Sequence, residues 1–155
     1  MNALRNERVL VLCGLLAAAA GSTPAQDKKE TVIPIIKEWK EVSPGGGIKK
    51  ERMVIGKEDE WRKVWAKAYA NIIPPPKAPD VDFSKHMVLA VFMGEKPTTG
   101  YETRITKVVK TEKGLKVHVS ETAPKPGDVT GQAITAPFHI VMTPKSDLPV
   151  TFMDE

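Results

Sequence analysis

The stretch HMVLAVFMG, His86 to Gly94, decides the fold class. A strand with one wet face alternates apolar and polar residues; this run is apolar at both parities, as expected of a strand covered on both faces. It ends in GEKPTTGY (94–101), where Pro97 and Gly100 interrupt any regular element.

Downstream the strand signals continue. YETRITKVVKT (101–111) is strand-like but irregular, with a bulge expected near Lys107. EKG (112–114) is a tight turn. LKVHVSET (115–122) alternates strictly, with Leu115, Val117 and Val119 on one face and Lys116, His118 and Ser120 on the other. APKPGDVTGQAITAP (123–137) is a long loop rich in proline and glycine. FHIVMTP (138–144) is a strand with Phe138, Ile140 and Met142 alternating, and VTFMD (150–154) closes the chain after a turn at KSDLP.

Upstream the period changes. KEDEWRKVWAKAYANI (57–72) sets Trp61, Val64, Trp65, Ala68 and Ile72 on one helical face, with three carboxylates in the first turn where they suit the helix dipole. The prolines at 74–76 cannot continue a helix. A tryptophan pair at this spacing anchors a helix onto a sheet. Before it, VIPIIKEWKEV (32–42), SPGGGI (43–48) and IKKERMVI (48–55) read as strand, turn and strand, so 32–55 is expected to be a hairpin. The sum is a mainly β domain of about seven strands. It is expected to be an antiparallel β-sandwich or barrel-like sheet with hairpin connections and one packed amphipathic helix.

The chain has 155 residues and carries +4 at pH 7, enough for one domain with a real core. Residues 1–25 have the layout of a signal peptide: arginines, the apolar run VLVLCGLLAAAA (9–20), then small residues with Thr23 and Ala25 before the expected cut. That run is too short to span a bilayer as a transmembrane anchor. Cys13, the sole cysteine, lies within it. Bulky Leu12 and the few apolar residues before Cys13 argue against a lipoprotein box. The expected mature chain, 26–155, is a single cysteine-free domain, exported to a periplasmic or secreted location. Its lysines are scattered rather than clustered, which excludes a nucleic-acid footprint.

The familiar catalytic patterns are missing. His86, His118 and His139 have no metal-site spacing and read as surface histidines on polar strand faces. There is no GxSxG around any serine and no phosphate loop in PGGGIKK. Glu95, Glu102 and Glu121 could meet only in three dimensions, as a carboxylate pair would. The expectation is therefore a protein that is not an enzyme and has no catalytic residue, metal or cofactor.

Several ordered motifs carry a family resemblance from Trp61 to Phe152. They are GEKPTTGY, SETAPKPGD, QAITAP and the turn at Thr143–Pro144–Lys145. Their order resembles the protease complex subunit PrcB family, with Thr99 where a second glycine is common and Thr143 before Pro144. The resemblance implies a non-catalytic exported partner that stabilises a secreted protease complex. Locally, KPTTGY is also similar to a loop of chagasin-like inhibitors of cysteine proteases, with Lys96 in place of an asparagine.

The residues themselves fit a presented loop. Pro97 lowers the entropy lost on ordering, Thr98 and Thr99 can bond their own backbone, Gly100 permits positive φ, and Tyr101 offers an interface anchor. Lys96 completes this set, and Pro126 and Gly127 join it from the 123–137 loop, expected to lie alongside. The reading is an exported protein-binding module whose partner is a protein, with a secreted or envelope protease first. The alternatives are competitive inhibition through KPTTGY and a carboxylate-based hydrolase.

Overall fold

The structure is a computed structural model and describes residues 30–155; the signal-peptide reading lies outside the described residues. The strands are β1 (Thr31–Ile33), β2 (Lys37–Pro44), β3 (Glu51–Ile55), β4 (His86–Phe92), β5 (Glu102–Thr111), β6 (Gly114–Thr122), β7 (Thr135–Pro144) and β8 (Val150–Asp154), and the helix α1 is Glu58–Ala68. They form two four-stranded sheets, β2-β7-β4-β3 and β1-β5-β6-β8. The sheets pack face to face and do not close into a barrel.

The sheet β2-β7-β4-β3 is covered on both faces, which explains the unbroken apolar run of β4. Met87, Leu89 and Val91 of β4 face the second sheet, in a layer of small aliphatic side chains with Ile105, Val108, Leu115, Val117, Val119 and Val141. Val88, Ala90 and Phe92 face the other way, onto α1. There the layer is aromatic. Trp39 lies 5.3 Å from Trp61, which lies 5.1 Å from Trp65, itself 4.5 Å from Tyr69 between ring centroids, and the series runs on through Phe138 to Phe92. Trp61, Val64, Trp65 and Ala68 are buried, as the helical period requires. The indole N–H groups of Trp61 and Trp65 donate to the carbonyls of Pro79 and Pro76, both at 2.8 Å. So the proline-rich linker is bound by the same tryptophans that seat the helix. The helix ends at Tyr69, several residues before Pro74, where the Tyr69 ring turns onto Phe138.

Three expectations are corrected. The segment 32–42 is not one strand: after β1, Pro34 has no N–H to continue a ladder, and the chain crosses to the other sheet as β2. The segment 32–55 is not a hairpin: β2 and β3 are the two opposite edges of their sheet, with β7 and β4 between them. The arrangement is not wholly antiparallel, since β6 and β8 pair in parallel. The expected bulge is present, as the register of β5 against β6 shifts between Ile105 and Lys107. The strand predicted from Phe138 begins at Thr135, because Thr135, Ala136 and Pro137 pair with β2. Pro137 is tolerated there because β4 pairs only as far as Phe138 and needs no donor from it.

Candidate functional site

At one end of the sandwich three connections meet: 45–50 after β2, 93–101 after β4 and 123–134 after β6. Each is anchored to the others by named bonds. The strand-like contact is between Lys96 and Thr135, whose backbones exchange N–H···O bonds of 2.7 and 2.9 Å. The Thr135 hydroxyl donates to the Thr98 carbonyl at 2.9 Å. Thr99 makes a reciprocal pair: its N–H donates to the Gly131 carbonyl at 3.1 Å, and its Oγ1 accepts from the Gly131 N–H at 2.7 Å. Thr99 thus joins KPTTGY to the proline- and glycine-rich loop, as expected of neighbouring loops.

Glu95 holds the third connection. Its Oε1 accepts from the N–H groups of Gly46 at 2.8 Å and Gly47 at 2.5 Å. Successive N–H groups aimed at one point form a concave anion site, and here a side chain of the protein fills it. Gly46 and Gly47 reach this shape at φ of 146° and 81°. Asn71, just beyond α1, donates to the carbonyls of Pro44 and Gly45 at 2.8 and 3.1 Å, and the Gly45 N–H donates to the Ile134 carbonyl.

The surface of this end is what the pinned loops leave outward. Pro97, Thr99 and Gly100 are exposed, and Lys96, Thr98 and Tyr101 are half-buried. The Lys96 ammonium lies 5.5 Å from the Tyr101 ring centre, a cation–π distance. Gly100 takes φ of 93°. Pro126 and Gly127 form the tip of a turn in which the Asp128 N–H donates to the Lys125 carbonyl at 3.0 Å and the Asp128 carboxylate accepts from the Lys125 N–H at 2.7 Å. Val129 and Ile134 are 103% and 61% exposed, so this end carries apolar groups in water.

The carboxylates considered for chemistry are each taken up separately. Glu95 binds the glycine N–H groups. Glu102 pairs with Lys40, and the Lys40 ammonium holds its carboxyl below the usual range, opposite to what a general acid requires. Glu121 pairs with Lys50 at 2.7 Å and Arg52 at 3.8 Å. Among the described residues no group of three or more His, Cys, Asp or Glu is placed to hold a metal ion, and no helix is long and apolar enough to cross a membrane.

One histidine departs from the surface expectation. His139 is 0% exposed and lies between the sheets. Its Nδ1 accepts from the Ile105 N–H at 2.8 Å, and its Nε2 lies 3.1 Å from Glu38 Oε2. β7 is buried at both parities, so a histidine within it has no wet face to occupy; in the sequence Thr135, His139 and Thr143 made that face read as polar. His118 remains partly exposed beside Glu155, at 3.1 Å, and His86 is half-buried. The roles of Glu95, Asn71 and Gly131 had no local sequence signal, since each acts on a segment tens of residues away.

Neither the curated proteins nor the solved structures give a match to this chain, and the comparisons show nothing for the likeness to chagasin-like inhibitors. Residues 87–144 match the family model described as PrcB C-terminal. That stretch, similar to the PrcB C-terminal family, runs from β4 through KPTTGY and the 123–134 loop to the end of β7.

Proposed function

We propose that the protein is an exported, non-catalytic binding module that attaches to a protease complex through this loop end. The observation that carries the reading is the reciprocal Thr99–Gly131 pair, which fuses the two candidate loops into one exposed surface. Binding by loops already held in shape loses little further entropy. The exposed Pro97, Val129 and Ile134 and the half-exposed Tyr101 supply apolar and aromatic anchors of the kind that carry interface energy. The PrcB match suggests a protease complex as the partner. Export follows from the signal-like composition of residues 1–25.

The test is capture of exported proteins on the purified protein, in parallel with the Thr99→Ala/Tyr101→Ala variant. We expect a protease subunit to be captured and the double substitution to remove at least about nine-tenths of it, as loss of one interface anchor does. Capture that is indifferent to the substitutions would place binding elsewhere. If the captured protease loses activity in proportion to bound protein, the loop acts as an inhibitor; if it gains stability instead, the protein is a stabilising subunit.

A further inference from the structure

β1 covers only Val108, Val109 and Lys110 of β5. Beyond Ile33 the chain leaves for the other sheet, so among the described residues the first half of β5, Glu102–Lys107, has no strand beside it on that side. Two side chains from the opposite sheet stand in. Lys40 of β2 pairs with Glu102, and His139 of β7 accepts the Ile105 N–H on its Nδ1. This half of β5 begins one residue after Tyr101 and also contains the bulge, so its anchoring sets where the KPTTGY loop leaves the sheet.

The bonding pattern fixes the tautomer of His139. Nδ1 accepts, so in the neutral ring the hydrogen is on Nε2, where it faces Glu38. One protonation state therefore satisfies both neighbours. A second proton can go only to Nδ1, where it would meet the Ile105 N–H, donor against donor. The charged groups around the ring are Glu38 and Lys40 from β2, and Glu102 and Arg104 from β5. The β4 neighbour across from it is the apolar Val91. Glu38 favours the imidazolium; Lys40, Arg104 and above all burial oppose it.

We propose that His139 is a proton-sensitive latch: protonation at Nδ1 releases Ile105 and loosens the start of β5 together with the KPTTGY loop joined to it. Burial holds the ring below its ordinary value of 6.5, so the latch stays closed at neutral pH and opens on acidification. The consequence for binding rests on the proposed function: the loop end would be presented in fixed shape at neutral pH and lose that shape in an acidified surrounding.

The latch can be tested without a partner, so a failed capture experiment does not touch it. Amide exchange and imidazole shifts would be followed by NMR from about pH 7 to about pH 5, the range where histidines titrate. The expected result is that protection of the Ile105 amide, corrected for intrinsic exchange, falls roughly fivefold, the loss of about one hydrogen bond. The fall should share its midpoint with the His139 ring titration, and the Thr99 amide should follow. In His139→Gln, whose amide oxygen can accept but gains no proton, protection should be constant over the same range. Protection that persists while the ring becomes charged would overturn the proposal, and so would a ring that stays neutral throughout. If the glutamine variant fails to fold, the shared midpoint in the unaltered protein decides alone.

Discussion

Two glycines show how much one residue's surroundings decide. Gly114, at the turn between β5 and β6, has φ of 146°, and a Cβ there would lie 2.3 Å from the Pro149 carbonyl oxygen. That oxygen is already committed, accepting the Leu115 N–H at 2.8 Å, so it cannot retreat without opening the approach to β8. Gly127 has φ of 96°, but a Cβ there would meet nothing within 4 Å. Gly127→Ala should therefore cost only the backbone strain, about 1 kcal/mol. Gly114→Ala adds a clash and should cost about 3 kcal/mol or more. Urea denaturation of the two variants measures the difference; equal costs would mean the Pro149 segment is free to move.

At the scale of elements, α1 is held by its tryptophans rather than by its ends. Lys57 provides no side-chain cap, and an isolated helix of this length is marginal in water. Trp65 touches Trp39, Trp61 and Tyr69 and also bonds Pro76. Trp65→Ala should cost about 3–5 kcal/mol. Trp65→Phe keeps a ring but leaves the Pro76 carbonyl without its donor, and should cost about 1–2 kcal/mol. Chemical denaturation followed by far-ultraviolet dichroism checks both. The helical face was legible because its period is a property of a dozen adjacent residues, and the double burial of β4 was legible for the same reason. The placement of β2 and β3 was not legible, because SPGGGI says only that the chain turns. It does not say that β7 and β4, formed much later in the chain, come between β2 and β3. The site divides the same way: KPTTGY and Pro126–Gly127 announce themselves as shaped loops, but the partners that pin them, Gly131, Gly46 and Gly47, are defined only by the closed sandwich.

For the whole molecule, the titrating groups set a stability profile with a definite sign. His139 has a folded-state pKa below the 6.5 of the unfolded chain. As pH falls through 6.5, the unfolded chain takes up a proton that the folded protein refuses, so the unfolded state gains. The His139 contribution is thus full above about pH 6.5 and is lost on acidification, with a slope of at most about 1.4 kcal/mol per pH unit. Glu102 follows at lower pH: Lys40 holds its carboxyl below the ordinary 4.5, so its contribution is present above that value and is lost as pH falls through the folded pKa. Asp82, bonded by Ser84, and Asp154, bonded by Arg52, move the same way. All of these effects have one sign, so the melting temperature should fall in two stages, first below about pH 6.5 and again below about pH 4.5. In His139→Gln the first stage should vanish and the second remain. A melting temperature in the unaltered protein that is flat or rises between about pH 7 and about pH 5 would mean that the ring is charged in the fold as readily as in the open chain. The bond from Ile105 to Nδ1 would then not describe the protein in solution.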